Sequence, residues 1–419
     1  MIRHIFRRFI GFTSFTLLGL CAPALVFAQA DNFNWDSWIL TQVEQHPDIV
    51  AAREQMNSTY SLAEARERPL YNPELDTEYE REGNSNNYRV GLNQTLDIWG
   101  KRNTRKQQAG FSRTAAQQQY RFAIQQKIAE SLQALIEWQA ASKQSELALA
   151  QETQMETLIS LVTDRQLAGD LGQVDAELTL LSFSQRLNAT AQAQSRLRQV
   201  EARLQELLPD WSANANKIPE NLWVTDKVFS TSPEQIKQWL NSHNAVIAAK
   251  ADWELLQRSA QLANLETKAD PTIGLNAGKS AGDNVIALNF SIPLHIRNNF
   301  NAEARAANQQ ALAAEAQYMA TKRRQQFAIV ASKASLQEYQ QRYQRWQGLM
   351  QGRGERSGSL LEMQWQSGDL STTEYLLALQ QRSEGLAAGI ELGTQFYLAR
   401  IDWLFQTGQL KTALQQLTQ

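Results

Sequence analysis

Two hydrophobic periods run along this chain, and each of them occurs twice. The shorter period is two. Over residues 74–81, Leu75, Thr77 and Tyr79 alternate with Glu74, Asp76, Glu78 and Glu80. Over 88–95, Tyr88, Val90 and Leu92 oppose Arg89, Gly91 and Asn93. The pattern returns late in the chain, where Ile273, Leu275 and Ala277 oppose Thr272, Gly274, Asn276 and Gly278. It continues with Ile286, Leu288, Phe290 and Ile292 against Ala287, Asn289 and Ser291. Successive strand side chains point to opposite faces, so these segments predict four two-faced strands. Residues 82–87 and 279–283 are predicted to be the turn-rich joins within each pair.

The longer period is helical. Residues 101–167 hold no proline and a single glycine, Gly110; residues 300–351 hold only Gly348. A helix of about 65 residues at ~1.5 Å per residue reaches ~100 Å, more than a compact domain needs. Apolar residues recur at spacings of three and four, as in Leu336, Tyr339, Tyr343, Trp346 and Met350, and in Leu197, Val200, Leu204 and Leu207. Such seams suit coiled-coil packing, here diluted by Ala, Ser and Gln. Each long stretch breaks at a similar tetrapeptide, Ala168-Gly169-Asp170-Leu171 and Ser367-Gly368-Asp369-Leu370. Glycine lets the chain leave the helix and reverse. Shorter helices over 173–208 and 372–406 then complete two antiparallel helical hairpins with tips at 169–172 and 368–371.

The lead-ins match as well: His46-Pro47-Asp48-Ile49-Val50-Ala51-Ala52-Arg53 returns as His243-Asn244-Ala245-Val246-Ile247-Ala248-Ala249-Lys250. The offset is about half the chain, far from the ~20–50 residues of a solenoid repeat. The chain therefore divides into a first repeat over 29–208, with strand pair 73–97, and a second over 244–408, with strand pair 271–293. Residues 209–243, with Trp211, Pro219 and Trp223, form the irregular connector, and 409–419 a C-terminal tail.

Residues 1–28 read as an export signal. Arg3, Arg7 and Arg8 precede an apolar run from Phe9 to Leu20, and Val26-Phe27-Ala28 fits a cleavage site. The run is short for a span of ~20 residues. Cys21 is the sole cysteine, so no internal disulfide can form, and the bulky Leu20 before it argues against lipid attachment. With 41 Lys+Arg against 43 Asp+Glu, the charge gives no argument for nucleic acid.

No later stretch is apolar enough for a transmembrane helix, but outer-membrane strands leave no hydropathy peak. Each alternating segment approaches the ~9–11 residues a tilted strand needs to cross. A charge facing lipid at mid-depth costs up to a few kcal/mol, so Asp76, Glu78 and Glu80 belong to a watery lumen and the Leu/Tyr/Ile/Phe face to lipid. Soluble hairpins lying on the helices are the alternative that period alone leaves open. Four strands cannot close a membrane barrel, and open edges are not tolerated in lipid. Two copies would give about eight strands and a filled barrel; three would give about twelve and an opening.

At this point the chain resembles the TolC-type outer-membrane efflux factors, over nearly all of the mature sequence. It is most similar to the cobalt–zinc–cadmium branch that serves heavy-metal pumps. The residues that carry this are Tyr71-Asn72-Pro73-Glu74-Leu75, Gln94-Thr95-Leu96-Asp97-Ile98-Trp99-Gly100-Lys101-Arg102 and Ser291-Ile292-Pro293-Leu294-His295-Ile296-Arg297-Asn298-Asn299. The resemblance implies a mainly α protein with a membrane β-barrel part. Four strands from each chain would enter one twelve-stranded barrel in a homotrimer, and the helical hairpins would form a periplasmic tunnel. It further implies an outer-membrane location, a periplasmic adaptor protein and an inner-membrane pump of the resistance-nodulation-division class, with no enzymatic activity and no cofactor.

The resemblance also nominates residues. Glu374 and Asp175, six positions beyond Gly368 and Gly169, would line the closed inner end as rings of like charge. Both also sit where an acid favours a helix N-terminus. Arg165, Gly169, Asp170, Leu171, Gly368, Asp369, Leu370 and Ser371 would meet the adaptor, although the glycines make the turns in any case. His46, His243 and His295 are too dispersed to suggest a metal site. Two rival readings remain: the same duct with drugs or secreted proteins as cargo, and a periplasmic coiled-coil scaffold without a channel.

Overall fold

The computed structural model describes residues 35–169, 171–212, 232–350 and 353–416. The predicted export signal with Cys21, Asp170, most of the predicted connector and the end of the tail lie outside the described residues. The described chain is one compact unit. Its elements are α1 (Trp35–Gln45), α2 (Pro47–Glu67), β1 (Glu74–Glu82), β2 (Ser85–Thr95), α3 (Lys101–Ala168), α4 (Gln173–Leu207), α5 (Pro233–Ser242) and α6 (Asn244–Glu266). They continue with β3 (Thr272–Ser280), β4 (Asp283–Ser291), α7 (Asn301–Met350), α8 (Arg353–Gln366), α9 (Thr372–Gln406) and α10 (Leu410–Gln416). The second half repeats the order of the first.

Local chemistry sets these boundaries. His46 caps α2 through Nδ1, which accepts from the Asp48 N–H at 3.2 Å, and Pro47 supplies the fixed φ that suits a first turn. Ser232 and Gln235 form a capping box on α5. The long α3 has no cap at Gly100. Asp97, one turn upstream, takes that part, its two oxygens accepting from the N–H groups of Lys101 at 2.9 Å and Arg102 at 2.7 Å.

The four strands form one antiparallel sheet in the order β1-β2-β3-β4. Leu75 lies opposite Leu92, Leu92 opposite Leu275, and Leu275 opposite Leu288. One register therefore gathers the apolar residues of all four strands on one face. The joins are tighter than their composition predicts. Ser85, Asn86 and Asn87 pair with Glu82, Arg81 and Glu80, and Lys279 and Ser280 pair with Asn284 and Asp283. That leaves two-residue turns at Gly83-Asn84 and Ala281-Gly282, with positive φ at Gly83, Ala281 and Gly282. Ladder pairing overrides the turn-like sequence. At Gly278 a Cβ would meet the backbone of β2, with the Arg89 Cα only 2.8 Å away, so the close strand approach requires glycine.

Beside the sheet, α2 packs on α3, α3 on α6, and α6 on α7, so the helices repeat the strand order. Further along, α3 pairs with α4, and α7 and α8 with α9. The core is divided accordingly. The largest cluster joins Ile39 of α1, Leu132 and Leu135 of α3, Leu204 of α4, Ile401 of α9 and Leu410 of α10. A second joins Leu240, Val246, Ile329, Leu336 and Trp403. Each such fully buried side chain contributes about 1.5–3 kcal/mol. Between clusters α3 buries Ala, Ser and Gln instead, which permits close helix approach.

Candidate functional site

Two regions carry the unusual chemistry: the sheet with its exit segments, and the paired hairpin tips. On the sheet, Leu75, Tyr79, Val90, Leu92, Leu275, Ile286, Leu288 and Phe290 are all exposed, with Leu288 at 80%. A contiguous apolar face of this size is uncommon on a soluble monomer. The opposite face of β1 carries Glu74, Asp76, Glu78, Glu80 and Glu82, all exposed. Arg89 meets Glu78 at 3.3 Å, and the other partners across β2 are Asn93, Gly91, Asn87 and Ser85. The sequence-predicted Asp76, Glu78 and Glu80 thus share one polar face.

The sheet meets the helices at a buried polar junction. Lys101 Nζ donates to Asp270 Oδ2 and to the Lys268 carbonyl, both at 2.8 Å. The two side chains are 6% and 3% exposed. The Tyr71 hydroxyl donates to the same Asp270 oxygen at 2.7 Å. Burial and the Asp270 carboxylate push the Tyr71 phenol up to about 12. The junction ties the first repeat to the second. Sequence reasoning singled out the segments holding Tyr71 and Lys101 but missed Asp270, whose signal is a lone acid immediately before Pro271.

At the tips, Gly169 and Gly368 adopt left-handed φ of 78° and 83° and end their helices. The Gly169 N–H donates to the Arg165 and Gln166 carbonyls. The N–H groups of Asp369 and Leu370 donate to the Gln364 carbonyl at 2.9 and 3.1 Å. Leu171 and Leu370 are half-buried against a small core of Met155, Leu158, Val162, Ala176, Trp365, Tyr375 and Leu379. Gly169, Gly368, Asp369 and Ser371 are exposed.

The two hairpins hold each other. The Arg165 guanidinium lies 4.8 Å from the Trp365 ring centroid, and Trp365 stacks on Tyr375 at 5.0 Å. Thr373 Oγ1 donates to Asp175 Oδ1 at 2.9 Å, and Gln154 Nε2 donates to the Tyr375 hydroxyl at 3.3 Å. Glu374 has a different setting: its Oε2 accepts from the Ser371 N–H at 2.9 Å and from the Ser371 hydroxyl at 2.7 Å, completing the capping box of α9. These bonds hold its carboxyl below the ordinary value. Sequence reasoning missed Trp365, Tyr375 and Gln154; two aromatics flanking a glycine break were the available signal.

The histidines stay apart. His46 caps α2, and the His295 Nδ1–H donates to the Thr267 carbonyl at 2.9 Å. His243 is buried at 1% exposure, 5.9 Å from the Phe122 ring, with neither ring nitrogen hydrogen-bonded. Burial pushes its imidazole down, and the nearby Phe405 backbone only partly offsets this. Among the described residues no group of three or more His, Cys, Asp or Glu side chains converges as metal ligands, and no helix is long and apolar enough to cross a membrane.

Residues 39–209 match the family model described as outer membrane efflux protein. No curated protein sequence matches the chain. Among solved structures, the outer-membrane channel OprN is 14% identical with a TM-score of 0.74, covering 89% of each chain. CusC, whose structures concern transmembrane channel formation, is 15% identical with a TM-score of 0.73 over 91% of this chain and 95% of that one. The open state of the Neisseria gonorrhoeae MtrE outer-membrane channel is 15% identical with a TM-score of 0.69, over 90% and 89%. Most of the first repeat thus matches the outer membrane efflux family, and the fold is that of the TolC-like outer-membrane channels.

Proposed function

We propose that the protein is the outer-membrane duct of a tripartite efflux system. Three copies close a twelve-stranded barrel, and their helices form a periplasmic tunnel. The observation that carries this reading is the sheet itself. One face carries exposed apolar side chains on all four strands, β1 and β4 have free edges, and the sheet stands on a helix of 68 residues. Open edges are not tolerated in lipid, so closure with further copies satisfies both features at once. The scaffold reading leaves the apolar face without a purpose.

The tips dock a periplasmic adaptor through Arg165, Gly169, Asp170, Leu171, Gly368, Asp369, Leu370 and Ser371, and an inner-membrane pump supplies the energy. Asp175 and Glu374 form charged rings at the inner aperture. The Asp175–Thr373 bond lies between the two hairpins, which supports a place for Asp175 in holding them together. The cargo is heavy-metal cations. The strand-flanking motifs support this, and so does the acidic face of Asp76, Glu78 and Glu80, which draws cations into a lumen without selecting among them.

The test is a deletion strain grown across metal salts and organic drugs, with membrane fractionation of the wild type. Sensitivity confined to metals, and a detergent-stable trimer in the outer membrane, are expected. Sensitivity mainly to drugs or detergents would leave the duct and remove the metal cargo. A protein released without detergent would overturn the duct. A bulky residue at Gly368 that left trimer and efflux intact would remove the tip from the adaptor contact.

A further inference from the structure

The apolar alternation does not stop where the strands do. In β4 and beyond it, Ile286, Leu288, Phe290, Ile292, Leu294 and Ile296 form an unbroken every-second-residue series, although the strand ends at Ser291. After β2 the same parity gives Leu96 and Ile98. The two exit segments share one backbone device. The Ile98 N–H donates to the Leu96 carbonyl at 3.1 Å, and the Ile296 N–H donates to the Leu294 carbonyl at 2.9 Å. Each is a three-residue γ-turn.

In both segments the middle residue is the less exposed one and anchors the turn. Asp97 caps α3, and His295 binds the Thr267 carbonyl. The flanking residues are left uncovered, Ile98 at 56%, Leu294 at 73% and Ile296 at 82%. Cations stand beside them. Lys268 Nζ lies 4.6 Å from the Trp99 ring centroid, the Trp99 indole N–H donates to the Ala269 carbonyl at 2.8 Å, and Arg297 is exposed.

The height of the sheet decides what meets these residues. A nine-residue strand at ~3.4 Å per residue, tilted by about 40°, rises about 23 Å, close to the ~25 Å apolar band of an outer-membrane barrel. The sheet therefore uses up the hydrocarbon thickness. The exit segments, on the side of the helices, fall at the level of glycerol and headgroups.

We infer that residues 96–99 and 294–297 form a phospholipid-binding collar at the periplasmic leaflet. Leu96, Ile98, Leu294 and Ile296 enter among the upper acyl chains, and Lys268 and Arg297 meet headgroup phosphates. The collar is continuous with the apolar sheet face, and the inference rests on the reading of that face as membrane-embedded. A tryptophan with a cation against its ring is suited to this level, where one end of the side chain is apolar and the other wet.

The test places single cysteines in a Cys21→Ser background at Ile98, Ile296, Leu288 and Gln126, each labelled with the fluorophore NBD. The protein is reconstituted in nanodiscs of phosphatidylethanolamine and phosphatidylglycerol carrying a doxyl quencher near the head of the acyl chain. The expected result is that Ile98→Cys and Ile296→Cys are quenched at least half as strongly as Leu288→Cys, while Gln126→Cys, on α3, is not. Quenching at Leu288→Cys with none at the collar positions would overturn the collar and leave the membrane reading standing. Loss of quenching at all positions would overturn both. In the full chain, Lys268→Gln with Arg297→Gln is expected to lower co-purifying phosphatidylglycerol about twofold by mass spectrometry; an unchanged lipid content would remove the headgroup contacts.

Discussion

Replacing Lys101 by Met tests the junction between sheet and helices. Lys101 and Asp270 are both nearly sealed from solvent, so their attraction is little screened. Without the ammonium group, the Asp270 carboxylate keeps only the Tyr71 hydroxyl, because its Oδ1 has no hydrogen-bond partner in the protein. Removing one member of a buried pair costs about 3–5 kcal/mol, since the remaining charge stays buried and uncompensated. That is about two to three and a half orders of magnitude in the folding equilibrium at about 1.4 kcal/mol per tenfold. The double variant Lys101→Met/Asp270→Leu removes both charges. It should recover part of the loss, to within about 1–3 kcal/mol, the cost of leaving the Tyr71 hydroxyl and the Lys268 carbonyl without these partners. Urea unfolding of the detergent-solubilised protein, followed by tryptophan fluorescence, measures both. A loss below about 1 kcal/mol in Lys101→Met, or a double variant that loses the sum of the two single variants, would refute the account of the junction.

Three further outcomes are expected. Because burial lowers the His243 pKa below its ordinary 6.5, the native state binds the proton less readily than the unfolded chain. Its contribution is therefore complete above about pH 6.5 and declines as pH falls toward the folded value, and His243→Phe should flatten that decline in unfolding curves. The Trp346 ring occupies the place of a Cβ on Gly389, whereas a Cβ on Gly385 meets nothing within 4 Å. Gly389→Ala should then cost about 1–3 kcal/mol and Gly385→Ala should be neutral or stabilising; equal melting temperatures for the two would contradict the packing. Finally, Glu374→Gln keeps a capping-box residue but removes the charge, and Glu374→Ala removes both. If the charge constricts the aperture, single-channel conductance rises in both variants; a rise in Glu374→Ala alone would assign the effect to the cap.

The elements were legible because their periods are uninterrupted. Nothing between Lys101 and Ala168 competes with the helix, and the parity of Leu75, Leu92, Leu275 and Leu288 survives into the register. The seam through Leu336, Tyr343 and Trp346 faces α9, where Tyr343 stacks on Phe396 and the Trp346 indole donates to the Gly385 carbonyl. The turns were drawn too wide because Asn86 and Asn87 have turn chemistry but lie within reach of Arg81 and Glu80. The glycine breaks were visible, but the lock between hairpins was not. Gln154 and Tyr375 are 221 positions apart, and only the duplicated fold brings them together. The same holds for Lys101 and Asp270, 169 apart. Glu374 shows that a spacing from a glycine does not fix a setting, since a neighbouring serine claims the carboxylate first.

The acidic row on β1 also bears on how single chains avoid one another. A chain with two bare strand edges is a template for misassembly. If the β1 edges of two copies met, carboxylates would oppose carboxylates, and like charges directly across a ladder are destabilising. The same face of β4 offers the uncharged Asn289, Ala287 and Val285, with a single acid, Asp283, at the strand's start. The head-to-tail contact, β1 of one copy on β4 of the next, does not set one acidic row against another. A contact of that kind propagates around a ring and cannot end as a symmetric pair. The acids proposed to line a passage would also bias single chains away from dead-end dimers through β1.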